Sequence, residues 1–326
     1  MFGLLNLHKP PGATSRDVVN RVQRLLPRGT KVGHAGTLDP LATGVLIVCV
    51  GPATRLVPCL HEFPKSYRAD FRLGCVSDTD DVDGTIVEQS GGADVRLQDL
   101  QAALPEFRGA IRQVPPQHSA IQVGGQRAYA LARAGAVVEL EPRDVHVHRL
   151  DVVEFAPPRL VLDIDCGSGT YIRSIGRDLG QRLGTGAIMT ALTRTAIGPF
   201  ALDASRSVDS LTRETLDQAL LPPVLAVPDH VPFRLEPLDV AGVRQGRETP
   251  LAIPGTALDD GQRVATVDAD GRLIALGEWR LATQRFHPQV VFPEADTRRS
   301  RAPSRPRGRR RPASTGGGPQ GERPGP

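Results

Sequence analysis

At 326 residues, 40 % of them hydrophobic, the chain is long enough for one large domain and a small one; with no long apolar run and no basic, cleavable leader, neither membrane spanning nor export is expected. Its formal charge of +4 is unevenly spread: residues 294–326 hold nine Arg against Glu294, Asp296 and Glu322, a surplus of six, which leaves −2 for the rest. A body so close to neutral does not attract nucleic acid by net charge, so an RNA site would have to come from local patches. The four cysteines, Cys49, Cys59, Cys75 and Cys166, are scattered without a CxxC pair, a usage that fits a reduced cytoplasm and argues against zinc.

In chain order, residues 3–8 read as a strand, and Thr14 or Ser15 as the N-cap of a helix whose Val18, Val19, Val22, Leu25 and Leu26 share one face, closed by Pro27 and Gly29. The stretch GHAGTLDPLATGVL over residues 33–46 then places one carboxylate, Asp39, in a loop of Gly, Pro and Thr, with His34 nearby and the apolar run 45–50 directly after. A carboxylate at the mouth of a buried strand is a candidate acid or nucleophile, although Asp before Pro also starts ordinary turns. Tyr67, Ala69, Phe71 and Leu73 alternate with Ser66, Arg68, Asp70 and Arg72, the period of a half-buried strand.

Residues 78–84 resemble the start of a calcium loop, but Val82 takes the third ligand place and Gln89 the twelfth position, so an acidic turn without metal is expected. Leu160, Leu162, Ile164 and Cys166 repeat the strand alternation and run into Gly167-Ser168-Gly169. Ile172, Ile175, Leu179 and Leu183 mark the inner face of a following helix, with Arg173 near its N-terminus, where the helix dipole disfavours a cation unless it has a partner. Residues 203–228 read as a helix and a Pro-rich connector, and 263–267 with 273–277 as a hairpin around Asp268-Ala269-Asp270-Gly271. Helices mixed with strands in no βαβ rhythm predict an α+β fold on a largely antiparallel or mixed sheet. The tail 294–326, rich in Arg, Pro and Gly, has too little apolar surface to order itself and is expected to be disordered.

The Asp39 string is one of an ordered set: Lys9-Pro10-Pro11-Gly12-Ala13-Thr14-Ser15, Lys65-Ser66-Tyr67, Thr79 to Gly84, Pro115 to Ala120, Ala128 to Gly135, Ser168 to Ser174, Leu192-Thr193-Arg194-Thr195 and His287 to Phe292. Together these resemble the TruB family of tRNA pseudouridine synthases over nearly everything from residue 3 to 293. The resemblance implies a pseudouridine synthase core at 1–228, built on one long central sheet with helices around it. It also implies a small β-rich PUA-like module at 229–293 that holds the tRNA acceptor region.

The same resemblance implies that Asp39 is the catalytic nucleophile, that Arg173 pairs with it, and that Tyr67 stacks on a flipped uracil while His34 fills the space the base leaves. Tyr171 would line the uracil by its ring and Leu192 by its backbone; Lys9 would support the catalytic loop, and Tyr129 is a structural helix residue. A guanidinium is expected to fork onto the Asp39 carboxylate in two parallel bonds and so keep it ionised. The implied substrate is the uridine at position 55 of the tRNA T-loop, with no cofactor, no metal and no membrane, acted on by a monomer in the cytoplasm. The alternative is a tRNA-binding or tRNA-folding protein whose catalysis is secondary.

Overall fold

A computed structural model of the chain describes residues 1–118, 122–123, 126–127, 140–250 and 258–294. The 128–135 segment with Tyr129, and the tail from residue 295 on, lie outside them. Met1–Glu294 forms one compact unit.

The main sheet runs edge to edge through Arg206–Ser207, Gly3–Lys9, Thr43–Val50, Ala187–Ile197, Lys65–Leu73, Arg159–Cys166, Arg143–Ala156 and Gly109–Gln113, with Val32–His34 and Phe200–Ala201 attached beside it. Most neighbours are antiparallel, but Ala187–Ile197 lies parallel to Thr43–Val50 and Arg206–Ser207 parallel to Gly3–Lys9, so the sheet is mixed. Its register brings distant chemistry together. Lys9 sits opposite Gly44, Arg194 opposite both Gly44 and Tyr67, and Tyr67 opposite Ile164. Gly44 is required there: its φ is +103°, and a Cβ would come within 2.2 Å of the Arg194 carbonyl oxygen.

The alternation read from the sequence is realised. Ala69, Phe71, Leu160, Leu162, Ile164 and Cys166 are buried on one face in a cluster with Ile172, Ile175 and Leu179 of the Ile172–Arg182 helix, and Leu73 is buried as well. Each of the Leu, Ile and Phe side chains contributes about 1.5–3 kcal/mol by leaving water. The other face carries ion pairs across the strands, Arg68–Asp163 at 2.8 Å, Arg159–Asp70 at 2.6 Å and Arg149–Asp165 at 2.7 Å. The arginines are about half exposed, and such surface pairs contribute at most about 1 kcal/mol each, so the buried face holds this part of the sheet.

The first helix spans Ser15–Leu25 with Thr14 as N-cap, closed by a capping box in which Asp17 bonds back to the Thr14 backbone; Val18, Val19 and Val22 are buried. In 203–228 the expected helix shrinks to Leu216–Ala219, flanked by single 3-10 turns at Val208–Ser210 and Pro223–Ala226. The hairpin of Arg263–Val267 and Leu273–Arg280 is present and belongs to a four-stranded sheet completed by Val231–Arg234 and Arg285–Val291. A helix the sequence did not announce, Pro237–Arg244, buries Val243 in the same cluster. Phe292, just past the last strand, stacks on Phe2 with ring centroids 5.1 Å apart.

Candidate active site

The loop bearing Asp39 leaves the short strand Val32–His34 and is fastened before it enters the sheet at Thr43. On one side the Lys9 ammonium, fully buried, donates to the carbonyls of Ala13 (2.6 Å), Pro10 (3.0 Å) and Pro40 (3.2 Å), and the Gly12 N–H also reaches Pro40. Ser15 at the helix start both donates to the Leu38 carbonyl (3.1 Å) and accepts from the Leu38 N–H (2.9 Å). On the other side Arg194, 1 % exposed, donates Nε to Val45 (2.8 Å), Nη2 to Gly36 (3.1 Å) and Nη1 to Thr37 (3.4 Å), all backbone carbonyls. Two buried cations thus hold the backbone on either side of Asp39, which is the supporting role expected of Lys9. Burial, opposed by the Asp39 carboxylate, brings the Lys9 pKa down to about 8.

Arg173, second residue of the Ile172–Arg182 helix and 6 % exposed, is the partner of Asp39: Nη2 lies 2.9 Å from Asp39 Oδ2. The pairing differs from the expected parallel fork. Nη1 instead lies 3.3 Å from Asp81 Oδ2, and the two nitrogens also donate to the carbonyls of Thr79 (2.9 Å) and His118 (3.0 Å). The guanidinium is therefore shared by two carboxylates, because the acidic turn after the Cys75–Ser77 strand folds back against the helix. Met189 of the sheet anchors that turn through backbone bonds to Asp80 and Val82, and Arg177, one helical turn after Arg173, pairs with Asp80 at 2.9 Å.

Asp39, Arg173, His34, Tyr67, Tyr171 and Leu192 all line one cavity of about 410 Å³, together with His61, Lys65 and Arg194. The Asp39 side chain is 38 % exposed and lines this recess. Burial pushes its pKa above the ordinary carboxylate value; the Arg173 charge pulls the other way, the Asp81 carboxylate adds to the rise, and Lys9 opposes it. Burial likewise raises the Tyr67 phenol, with Arg194 opposing, and lowers His34, with Arg16 acting in the same direction. Nδ1 of His34 has no hydrogen-bond partner among the described residues.

Tyr171 caps the helix and is held by Gln113, whose amide accepts from its N–H (3.0 Å) and donates to its carbonyl (3.2 Å). Leu192 is 7 % exposed, and its carbonyl accepts from the Thr43 hydroxyl at 3.4 Å. What the arrangement offers is one fixed carboxylate in a recess lined by Tyr67 and Tyr171, with the volume and lining of a small-ligand site.

The family model for the N-terminal domain of TruB family pseudouridylate synthase matches residues 23–172, and that for the tRNA pseudouridylate synthase B C-terminal domain matches 173–226. A protein of Mycobacterium tuberculosis named tRNA pseudouridine synthase B is 41 % identical over 284 residues, covering 84 % of this chain and 91 % of its own. The chain belongs to the TruB family. The TruB protein of Microcystis aeruginosa is 39 % identical over 90 % of this chain and 99 % of its own length, and that of Gloeobacter violaceus 52 % identical over 63 % and 71 %. Among solved structures, an H/ACA RNP bound to a substrate RNA containing 2'-deoxyuridine superposes with a TM-score of 0.66 at 27 % identity, covering 90 % of this chain and 86 % of that one. A Cbf5-Nop10-Gar1 complex gives 0.64 at 29 % identity, over 89 % and 84 %. The expected pseudouridine synthase fold is thereby established, on a TruB chain.

Four residues of this TruB site carry no role in the sequence analysis: His61, Lys65 and Arg194 on the cavity wall, and Asp81, which pairs with Arg173. Asp81 belongs to the acidic turn, and its pairing with Arg173 spans 92 positions that no local pattern reports. Lys65 and Arg194 stand inside the family-like motifs. Parity could have marked both, since Lys65 shares the inward face with Tyr67 and Ala69, and Arg194 shares it with Leu192.

Proposed function

We propose that this TruB-family enzyme isomerises uridine to pseudouridine in tRNA, at position 55 of the T-loop, with Asp39 as nucleophile and with the target base flipped out of the RNA. The observation that carries the reading is the Asp39–Arg173 pair on the wall of a cavity that also holds Tyr67 and Tyr171, in a chain of this family. The reaction breaks the bond from N1 of uracil to C1′ of the sugar, turns the base, and joins C5 to C1′; the proton leaves C5 and one is gained at N1, so no electrons are exchanged. An ionised carboxylate is the group this needs, whether it attacks C1′, adds to the base or draws off a sugar proton.

A uridine inside a folded loop has to leave its stack before it reaches a recessed carboxylate. Tyr67 supplies a face for it to stack on, a contact of about 1–3 kcal/mol by analogy with other base-stacking aromatics. Tyr171 and Leu192 would close the remaining walls, and His34, on the same cavity, would occupy the gap left in the RNA. Arg173 keeps Asp39 negative and aimed. We assign residues 229–293 as a PUA-like module for the acceptor region of tRNA, residues 1–228 as the catalytic domain, and the cytoplasm as the place of action.

The test is Asp39→Asn. Tritium release from tRNA labelled at uracil C5 is expected to vanish, and mass-spectrometric mapping of a T-stem-loop transcript is expected to find pseudouridine with the natural enzyme only. Turnover retained by Asp39→Asn, or pseudouridine formed at another position, would overturn the assignment. The alternative, a tRNA-folding protein, requires that the Asp39→Asn variant still bind and remodel tRNA; since both roles fit in one molecule, the folding assay is run beside the turnover assay.

A further inference from the structure

The described residues hold a second cavity, of about 390 Å³, at the C-terminal end of the Ser15–Leu25 helix, where Arg24, Arg28 and Arg213 meet around Gln23, Pro27 and Gly29. No carboxylate among the described residues lies within ion-pair distance of these three arginines, whereas their neighbour Arg21 is paired with Asp209. The Arg213 guanidinium donates weakly to the Arg24 carbonyl at 3.5 Å. A helix C-terminus attracts cations, but its dipole amounts to about half a charge, too little to account for three guanidiniums gathered on one recess.

The cluster ends a longer stripe. Residues 16–31 carry Arg16, Arg21, Arg24, Arg28 and Lys31 against Asp17 alone, in a body that is otherwise slightly acidic, and Arg16, Arg24, Arg28 and Lys31 are exposed. Asp17 is occupied by the capping box. The helix starts against the catalytic loop, through Ser15 and Leu38, and its 11 residues extend about 16 Å from there. At the near end Arg16 is close enough to His34 to act on it electrostatically. One end of the stripe therefore lies at the rim of the uridine pocket, and the other holds unpaired cations about three turns away. Double-stranded nucleic acid carries on the order of one charge per 1.7 Å of axis, so a stripe of this length meets several phosphates.

We infer that the exposed edge of this helix, from Arg16 to the cavity of Arg24, Arg28 and Arg213, binds the phosphate backbone of the same RNA whose uridine enters the pocket. The inference rests on the function proposed above. None of these residues touches the reacting atoms, so their contribution belongs to binding.

The experiment compares the natural protein with Arg24→Gln/Arg28→Gln and with the charge-preserving Arg24→Lys/Arg28→Lys, each checked for an unchanged melting temperature; Arg213 is left in place because it also caps the helix. Measured on a tRNA transcript, KM for the Gln pair is expected to rise about tenfold near 0.1 M salt with kcat within about twofold, and the slope of log Kd against log salt to flatten by roughly 1.5, as when about two phosphates are no longer neutralised. The Lys pair is expected to keep most of the affinity and the full slope. An unchanged KM and slope in the Gln pair, or an equal loss in the Lys pair, overturns the inference while natural-protein turnover leaves the proposed function standing. If the natural protein binds tRNA without forming pseudouridine, and the Gln pair still flattens the slope, the function falls and the RNA surface remains.

Discussion

One guanidinium serving two carboxylates makes Arg173 the residue whose replacement says most about the chemistry. With side-chain exposures of 7 % for Arg173 and 6 % for Asp81, this pair is buried, and Arg173→Gln leaves Asp81 without its cation. Breaking a buried pair costs about 3–5 kcal/mol, softened here because Asp81 also accepts from the Thr79 hydroxyl and the Asp83 N–H. The catalytic consequence has a definite sign. Burial already raises the Asp39 pKa, so if Asp39 acts ionised, as proposed, kcat/KM is expected to fall as pH drops through that raised value. Arg173→Gln removes the cation that opposes the rise, and the acid limb is expected at higher pH. Asp81→Asn removes a neighbouring negative charge, and the limb is expected lower. A pH profile of kcat/KM for the three proteins checks both directions; a limb that stays in place in both variants would show that Asp39 is not the group being titrated. Asp39, Tyr67 and Arg173 were legible because their motifs are local. Asp81 was not, since nothing near it in sequence announces that Arg173 will arrive from the far side of the sheet.

The elements carry the same division between what is local and what is not. The strands Lys65–Leu73 and Arg159–Cys166 could be read directly, because one face is wet and charged and the other dry, which writes a period of two into the sequence. The Pro237–Arg244 helix has no such contrast: it buries Val243 alone, and Leu238 remains 94 % exposed. In 203–228 the helix is a single turn that ends at Ala219, ahead of Pro222, and burial of Leu216 and Ala219 rather than helical periodicity fixes the path. The first helix was legible through its cap, and the two neighbouring hydroxyls at its start are expected to separate stability from catalysis. Thr14→Ala removes the capping bond and is expected to cost about 1 kcal/mol, a melting shift of roughly 2–4 °C, with kcat nearly unchanged. Ser15→Ala leaves both backbone groups of Leu38 unsatisfied in a buried setting, about 1–3 kcal/mol for each, beside Asp39 itself. Its kcat is expected to fall as well; equal kcat in the two variants would show that the brace on Leu38 plays no part in aiming the carboxylate.

At the scale of the whole molecule, charge is segregated along the chain. Residues 294–326 hold a surplus of six positive charges and the remainder a deficit of two, while Met1–Glu294 forms a compact unit that contains the ten-stranded and four-stranded sheets and the two cavities described above. A chain ended at Glu294 is therefore expected to melt within about 1 °C of the full chain, because the core clusters are made of residues before that point. Its behaviour toward RNA should differ. Arginines without sequence-specific geometry bind phosphates by releasing counterions, and every phosphate left without its arginine flattens the salt dependence by roughly 0.7–0.9 in the log–log slope. Shortening is expected to lower tRNA affinity most at low salt and to reduce the slope, with kcat at saturating tRNA unchanged because the reacting groups are intact. Filter binding from about 0.05 to 0.3 M salt, set beside single-turnover rates, separates the two effects. A slope identical to that of the full chain would confine phosphate binding to the body, where the cluster of Arg24, Arg28 and Arg213 is the proposed source; a loss of single-turnover rate would mean instead that the tail takes part in placing the uridine.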